Sequence, residues 1–176
     1  MEIETKRLKL VPHTRDFLLT THEYASDREV TKYMLFHNDT LEKTEKFLKY
    51  VEREWQLDPI DFYEFAIMYN GNHIGAISLS IIDDNPVYAP TKADLGWILN
   101  KNYWGRGFAT EAALAIVELA RKLGLEKLYA TCDIDNIASY KVMEKIGMRR
   151  ISQNGVRKNY HSEEETIELK YEMILK

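Results

Sequence analysis

Cysteine is all but missing from this chain: Cys132 is the only one in 176 residues. A lone thiol excludes an intramolecular disulfide framework and a thiolate metal cluster. Histidine is scattered over positions 13, 22, 37, 73 and 161, without the short spacings of a metal site, so no metal is expected. Repeats, low-complexity tracts and linkers are absent as well, and residues 1–176 read as a single domain. There is no excess of positive charge, because 24 Lys and Arg stand against 28 Asp and Glu for a net charge of −4. That argues against a nucleic-acid partner and leaves room for a cationic substrate. No apolar run approaches the roughly 20 residues that span a bilayer. The opening "MEIETKRLKL" also lacks the apolar core of a secretion signal. The expectation is a cytoplasmic protein with no membrane partner.

What is present suits an ordinary globular domain, with 45% hydrophobic and 30% charged residues. "RLKLV" (7–11) alternates like a first strand. Thr14 is placed to cap a helix running to about Tyr24, and "DREVTKYM" (27–34) suggests a second, short one. "NDTLEKTEKFLKYVEREW" opens on capping residues and carries Leu41, Phe47, Leu48, Val51 and Trp55 at helical spacing. "FYEFAIMY", the Asn70-Gly71 turn and "HIGAISLSII" predict a hairpin. "ADLGWIL" (93–99) is a strand, followed from Thr110 by a helical stripe of Ala112, Ile116, Leu119 and Leu123 that stops at Gly124. "KLYATCD" is a strand, and "DNIASYKVMEKIGM" a short helix with Asn136 at its cap and Val142 and Ile146 in the core. Two strands close the chain, about 148–153 and 166–175. The order β-α-α-β-β-β-α-β-α-β-β predicts a mixed sheet packed against helices. Its strand–glycines–helix–strand portion is a crossover, so those two strands should be parallel neighbours.

Two constellations carry chemistry. In "YWGRGFATEAA" (103–113), Gly105 and Gly107 stand between a strand end and a helix start, where backbone approaches a ligand closely and unpaired N–H groups face an anion. A tight strand-to-helix turn is the structural alternative. A dinucleotide fingerprint is excluded by Thr110 at the third glycine position, and a P-loop by Phe108-Ala109 where lysine and a hydroxyl belong. What remains suits a pyrophosphate lying on backbone amides, with Arg106 adding a charge-assisted contact. About 30 residues on, Asn136 reads as an N-cap, and Ser139 lies one turn further in.

The pair "WGRGFATEA" and "NIASYKVMEKIGM" resembles the GNAT superfamily of acetyl-CoA-dependent N-acetyltransferases, and most of all its ribosomal-protein N-terminal acetyltransferase branch. The likeness runs over the whole chain, including "TKRLKLVPHT", "HIGAISL" and "ADLGWILNKNYWGRGFATEA". It implies an α/β GNAT fold: a central, mostly antiparallel sheet with one parallel pair splayed at the cofactor site, and helices on both faces. It also implies an acetyl-CoA site. The amides of Arg106, Gly107, Phe108, Ala109 and Thr110, with Gly105 beside them, would hold the pyrophosphate. Gly107 and Ala109 match the last two positions of the family pattern, and Trp104 replaces its Gln or Arg. Trp97, Ile98 and Leu99 match the strand whose backbone pairs with the pantetheine arm, and Asn136 the asparagine that contacts that arm.

The resemblance implies acetyl transfer by direct attack of a primary amine. At pH 7, deprotonating a lysine-type amine costs roughly 4–5 kcal/mol, against about 1 kcal/mol for an α-amine. Met143 stands where many members carry a tyrosine acid. Ser139 matches the serine used instead in the ribosomal branch, to hydrogen-bond the departing thiolate, with Tyr140 as the neighbouring alternative. The base is open between Asp94, at a family acidic position, and Glu64 on a neighbouring strand. Either carboxylate would act through water, and for both the alternative is a solvent-facing strand carboxylate. "SEEE" (162–165) reads as a solvated hairpin tip that would otherwise attract a basic acceptor. The acceptor is a protein N-terminus as the branch implies, or an amino acid, polyamine or aminoglycoside. A non-catalytic CoA-binding module is the rival from another class. The expected assembly is a monomer or homodimer.

Overall fold

The computed structural model describes residues 1–82 and 90–175. The elements follow in chain order. Strands β1 (Ile3–Glu4) and β2 (Leu8–Pro12) precede a 3-10 turn (Arg15–Phe17), helix α1 (Leu18–Ala25) and helix α2 (Leu41–Glu54). Strands β3 (Phe62–Tyr69), β4 (Asn72–Ile82) and β5 (Lys92–Leu99) lead through a second 3-10 turn (Lys101–Tyr103) into helix α3 (Phe108–Lys122). Strand β6 (Lys127–Asp133), helix α4 (Ile137–Lys145) and strands β7 (Arg149–Arg157) and β8 (Thr166–Ile174) complete the fold.

The described strands form one sheet in the order β1-β2-β3-β4-β5-β6-β8-β7, antiparallel except between β5 and β6. Alternation along the strands divides two cores. Leu8, Leu10, Phe65, Ile67, Ile77 and Leu79 pack with Ile116 and Val117 of α3 and Met143 of α4. Below the opposite face, Tyr24, Ala25, Leu48 and Val51 of α1 and α2 bury Ala66 and Ala76. The Asn70-Gly71 turn takes φ of 49° and 77°, the two left-handed residues of a tight hairpin.

Three sequence expectations are corrected. Residues 27–34 make turns instead of a helix. Tertiary ties hold that segment: Lys101 pairs with Asp27 and Glu29, and the Tyr33 carbonyl accepts from Arg157 Nη2 at 3.0 Å. Thr14 starts a 3-10 turn and its side chain caps nothing. Helix α3 begins at Phe108 and ends before Leu123, which is exposed. In α4 the most deeply buried side chain is Met143, with Ile146 buried and Val142 half-buried.

Candidate active site

The only parallel pairing among the described strands is also the shortest of the long ones. β5 and β6 are in register for Lys92–Lys127, Ala93–Leu128 and Asp94–Tyr129 and then part. Each keeps its outer neighbour: β5 pairs with β4 as far as Leu99–Gly75, and β6 with β8 as far as Asp133–Glu168. The result is a wedge between Leu95–Leu99 on one side and Ala130–Asp133 on the other, two segments with no strand pairing across the gap. Trp97, Ile98 and Leu99 thus lie where an extended ligand would add as a strand. Gly75 makes the wall possible. A Cβ there would overlap the Ile98 carbonyl oxygen and stand 2.8 Å from Leu99 Cα.

At the mouth of the wedge the chain turns into α3. Gly105 and Gly107 take φ of 72° and 78°, which favours glycine. Gly107 is the N-cap, and no side chain caps the helix. A Cβ at Gly105 would meet nothing within 4 Å, and one at Gly107 only Arg7 Nη2 at 3.6 Å. The glycines therefore keep open a space bordered by the uncapped amides of Phe108, Ala109 and Thr110. The acid of that first turn, Glu111, is neutralised by Arg7 Nε at 2.6 Å and by Arg7 N and Thr5 Oγ1, both at 2.7 Å. Burial alone would raise its carboxyl, and these bonds hold it below its ordinary value. An anion at the helix start meets amides and a compensated carboxylate. These features fit a CoA pyrophosphate.

The side chains of Arg106 and Trp104 are engaged within the protein. The Arg106 guanidinium stacks on Phe108, Tyr69 and Tyr103 and donates to the Tyr69 hydroxyl at 3.3 Å. What it leaves for an anion at the helix start is the backbone amide. Phe108 has its ring in the core, so it too offers only an amide. Trp104 replaces a polar phosphate ligand with a strut, its indole donating to the Leu99 carbonyl at 2.9 Å.

Across the wedge, Asn136 caps α4 by accepting the Ser139 amide at 3.2 Å. Ser139 is half-buried near Cys132, whose thiol burial raises to about 11, Arg157 and Ser139 opposing. Met143 lies inside the core, so its position offers the wedge neither a proton nor a polar atom. Tyr140 packs its ring against that core.

The two carboxylates share the face covered in part by α1 and α2. Glu64 lies opposite Ser78, itself opposite Gly96 on the wedge wall; Asp94 lies opposite Ser80. Two strand spacings put Glu64 about 10 Å from that wall. Asp94 is exposed, yet desolvation in its concave setting raises its carboxyl pKa, with Lys170 opposing and Glu168 reinforcing. Glu64 is buried, and burial pushes it up to about 8. "SEEE" folds as the expected solvated tip, Ser162 Oγ donating to the Glu164 carbonyl at 2.9 Å.

Sequence reasoning missed the polar company of Glu64. His13 is fully buried, with Nε2 2.8 Å from Thr21 Oγ1 and Nδ1 3.8 Å from Glu64 Oε1. His73 stacks against His13 at 5.2 Å and bonds the Thr20 hydroxyl and the Gly75 carbonyl. Desolvation lowers both imidazoles to about 3, the charge of His13 adding to the effect at His73. Both rings are therefore neutral.

No group of metal-ligating side chains occurs among the described residues, and no described helix is long and apolar enough to cross a membrane. Residues 7–149 match the sequence family described as "Acetyltransferase (GNAT) domain". The uncharacterized N-acetyltransferase YnaD of Bacillus subtilis is 33% identical over 151 residues, 85% of this chain and 84% of that protein. A GNAT-family acetyltransferase from Bacillus anthracis superimposes with a TM-score of 0.83 at 29% identity, covering 99% of each chain. A Salmonella typhimurium acetyltransferase described as modifying the N-terminal serine of ribosomal protein L7/L12 shares the fold, with a TM-score of 0.81 at 17% identity over 99% of each chain. With the wedge, the glycine turn and these likenesses in agreement, the chain belongs to the GNAT acetyltransferases and is an acyltransferase that draws its acyl group from acetyl-CoA.

Proposed function

We propose that the acceptor is an α-amine, in the first place the N-terminus of a protein such as a ribosomal protein. The observation that carries this reading is Glu64, a buried carboxyl two strands from the wedge wall and in register with it through Ser78, with its pKa pushed up to about 8. A base accepts a proton best from a group of similar pKa. An α-ammonium near 8 is matched, whereas a lysine-type ammonium near 10.4 faces roughly 3 kcal/mol uphill. The fold of the Salmonella enzyme, whose described acceptor is a protein N-terminus, is in keeping with it.

Acetyl-CoA supplies an electrophilic thioester carbonyl. In this reading the amides of Arg106 to Thr110 hold its pyrophosphate, the backbone of Trp97, Ile98 and Leu99 pairs with its arm, and the Asn136 cap orients the start of α4. Glu64 takes one proton from the acceptor ammonium through water and returns it to solvent. The amine nitrogen then forms the new C–N bond while the C–S bond breaks and its electrons go to sulfur. The second amine proton leaves with the departing thiol, whose sulfur Ser139 hydrogen-bonds. The products are an N-acetyl amide, CoA thiol and one proton. Asp94, exposed at the closed end of the wedge where β5 and β6 part, is the second carboxylate available to attract the ammonium.

Thiol release from acetyl-CoA, followed across N-terminal peptides of ribosomal proteins, free amino acids, polyamines and aminoglycosides, tests the proposal. Release with the peptides is expected, with Ser139→Ala lowering kcat at least tenfold and KM for acetyl-CoA little. Release with polyamines or aminoglycosides alone would move the acceptor to small molecules. CoA binding without release on any acceptor would favour a non-catalytic module.

A further inference from the structure

Two polar atoms among the described residues are buried without a hydrogen-bond partner, His13 Nδ1 and the Tyr24 hydroxyl. Both belong to the neighbourhood of Glu64. His13 Nδ1 is 3.8 Å from Glu64 Oε1, too far for a hydrogen bond and too near to admit a bridging water. Tyr24, on α1, packs its ring edge-on against His73 at 5.6 Å, and His73 packs on His13 at 5.2 Å, so its hydroxyl belongs to the same buried cluster. Burial first, and then the Glu64 charge, raise its phenol pKa, so it remains a donor. The Thr21 hydroxyl is close enough to oppose that shift slightly, yet it forms no hydrogen bond to the phenol.

The protons can be assigned. His13 Nε2 and the Thr21 hydroxyl share a 2.8 Å hydrogen bond, in which Thr21 is taken as the donor. His13 is neutral, so its single ring proton then sits on Nδ1, facing Glu64. A buried N–H and a buried O–H left without acceptors are costly, at about 1–3 kcal/mol each. Both find an acceptor when Glu64 is an anion, because a carboxylate accepts along several directions and draws donors in.

The geometry points to His13 and Tyr24 as positioning residues for Glu64, two donors held in reserve for its ionised form. The proposal rests on the reading of Glu64 as the proton acceptor and adds what its carboxylate form is built to meet. As Glu64 ionises, His13 Nδ1–H and Tyr24 O–H turn onto the carboxylate oxygens, and neither gives up its proton. The other groups facing this place are few. Ser78 lies on β4, with His73 in ring contact with both His13 and Tyr24, and Asp94 shares the face from β5. α2 contributes buried Thr44, Leu48 and Val51, together with Glu54, which pairs with Arg53. Among the described residues no cation is paired with Glu64, which leaves the two neutral donors to stabilise its charge.

The test is the titration of Glu64 itself, read by carbon NMR of protein labelled at the glutamate carboxyl, with Glu64→Gln identifying the signal. Neither acetyl-CoA nor an acceptor is needed, so the outcome is separate from the identity of the acceptor. Tyr24→Phe removes one oxygen that has no partner in the resting state. A merely structural tyrosine predicts an unchanged protein and an unchanged titration. Here the Glu64 midpoint is expected to rise by about one unit or more, the value of one hydrogen bond to a charge. His13→Gln should shift it in the same direction, and if that variant does not fold Tyr24→Phe alone decides. With an acceptor in hand, the pH profile of kcat/KM should move alkaline by the same amount. A Glu64 midpoint unmoved in Tyr24→Phe overturns the proposal. Full activity of Glu64→Gln would instead remove the reading beneath it.

Discussion

Adding one methyl group at Gly107 separates the two reasons for a glycine there. In Gly107→Ala the new Cβ has protein room, with Arg7 Nη2 at 3.6 Å as its nearest neighbour. The folded state then bears only the left-handed backbone cost, about 1–2 kcal/mol. For a chain of this length that lowers Tm by roughly 2–8 °C. The methyl also enters the space beside the uncapped amides of α3. Loss of one hydrogen bond to a charged phosphate oxygen is worth about 1.5–3 kcal/mol, and hence roughly 10- to 150-fold in Kd for CoA. Differential scanning with and without CoA reads both terms. CoA at about 100 times the wild-type Kd stabilises the wild type by about 2.7 kcal/mol, a rise of roughly 5–11 °C. A variant bound about 100-fold more weakly gains only about 0.4 kcal/mol at that concentration, or roughly 1–2 °C. A lowered apo Tm with a full CoA-induced rise would refute the cradle and leave Gly107 a turn residue.

Stability should peak near pH 6.5, because three desolvated groups oppose one another. His13 and His73, depressed to about 3, contribute stability that is present above their ordinary value near 6.5 and lost as pH falls. Glu64, raised to about 8, contributes stability that is present below its ordinary value near 4.5 and lost as pH rises toward 8. Each group changes stability by roughly 1.4 kcal/mol per pH unit within its window. Urea midpoints should fall on both sides of pH 6.5, and Glu64→Gln should abolish the alkaline fall; a flat profile up to pH 8 refutes the assignment. Gly75→Ala forces a Cβ into the Ile98 carbonyl and should cost at least about 3 kcal/mol, seen as insolubility or a Tm lower by about 6 °C or more. A variant melting with the wild type would mean that the wedge wall yields freely.

The strands and the crossover were legible wherever local pattern and tertiary need agree. Residues 127–133 alternate and residues 62–69 are a nearly continuous apolar run, and they form β6 and β3 with those limits, while Asn70-Gly71 makes the turn. The segment 27–34 was misread because its propensity is helical while its polar groups are held by Lys101 and Arg157, remote in sequence. At the site, Gly107 and the Asn136 cap announce themselves, since both act on their own backbone. The direction of the Arg106 side chain does not, being set by Tyr69 and Tyr103. Nor does the company of Glu64. Only the pairing of β2 with β3, continued by the His13 amide donating to the Glu64 carbonyl at 3.0 Å, brings His13 there.

The short register between β5 and β6 gives this sheet more edges than its outer strands β1 and β7 supply. Past Asp94 and Tyr129 the interior holds two more, rows of amides and carbonyls of the kind that recruit stray strands into aggregates. Most proteins keep such edges short, charged or covered. In the proposed reading of the site this one carries them along its binding cleft, where a bound extended ligand would act as the cover. On that reading the ligand-free molecule would be its own hazard in concentrated solution, and cofactor supply a matter of colloidal health as well as of turnover.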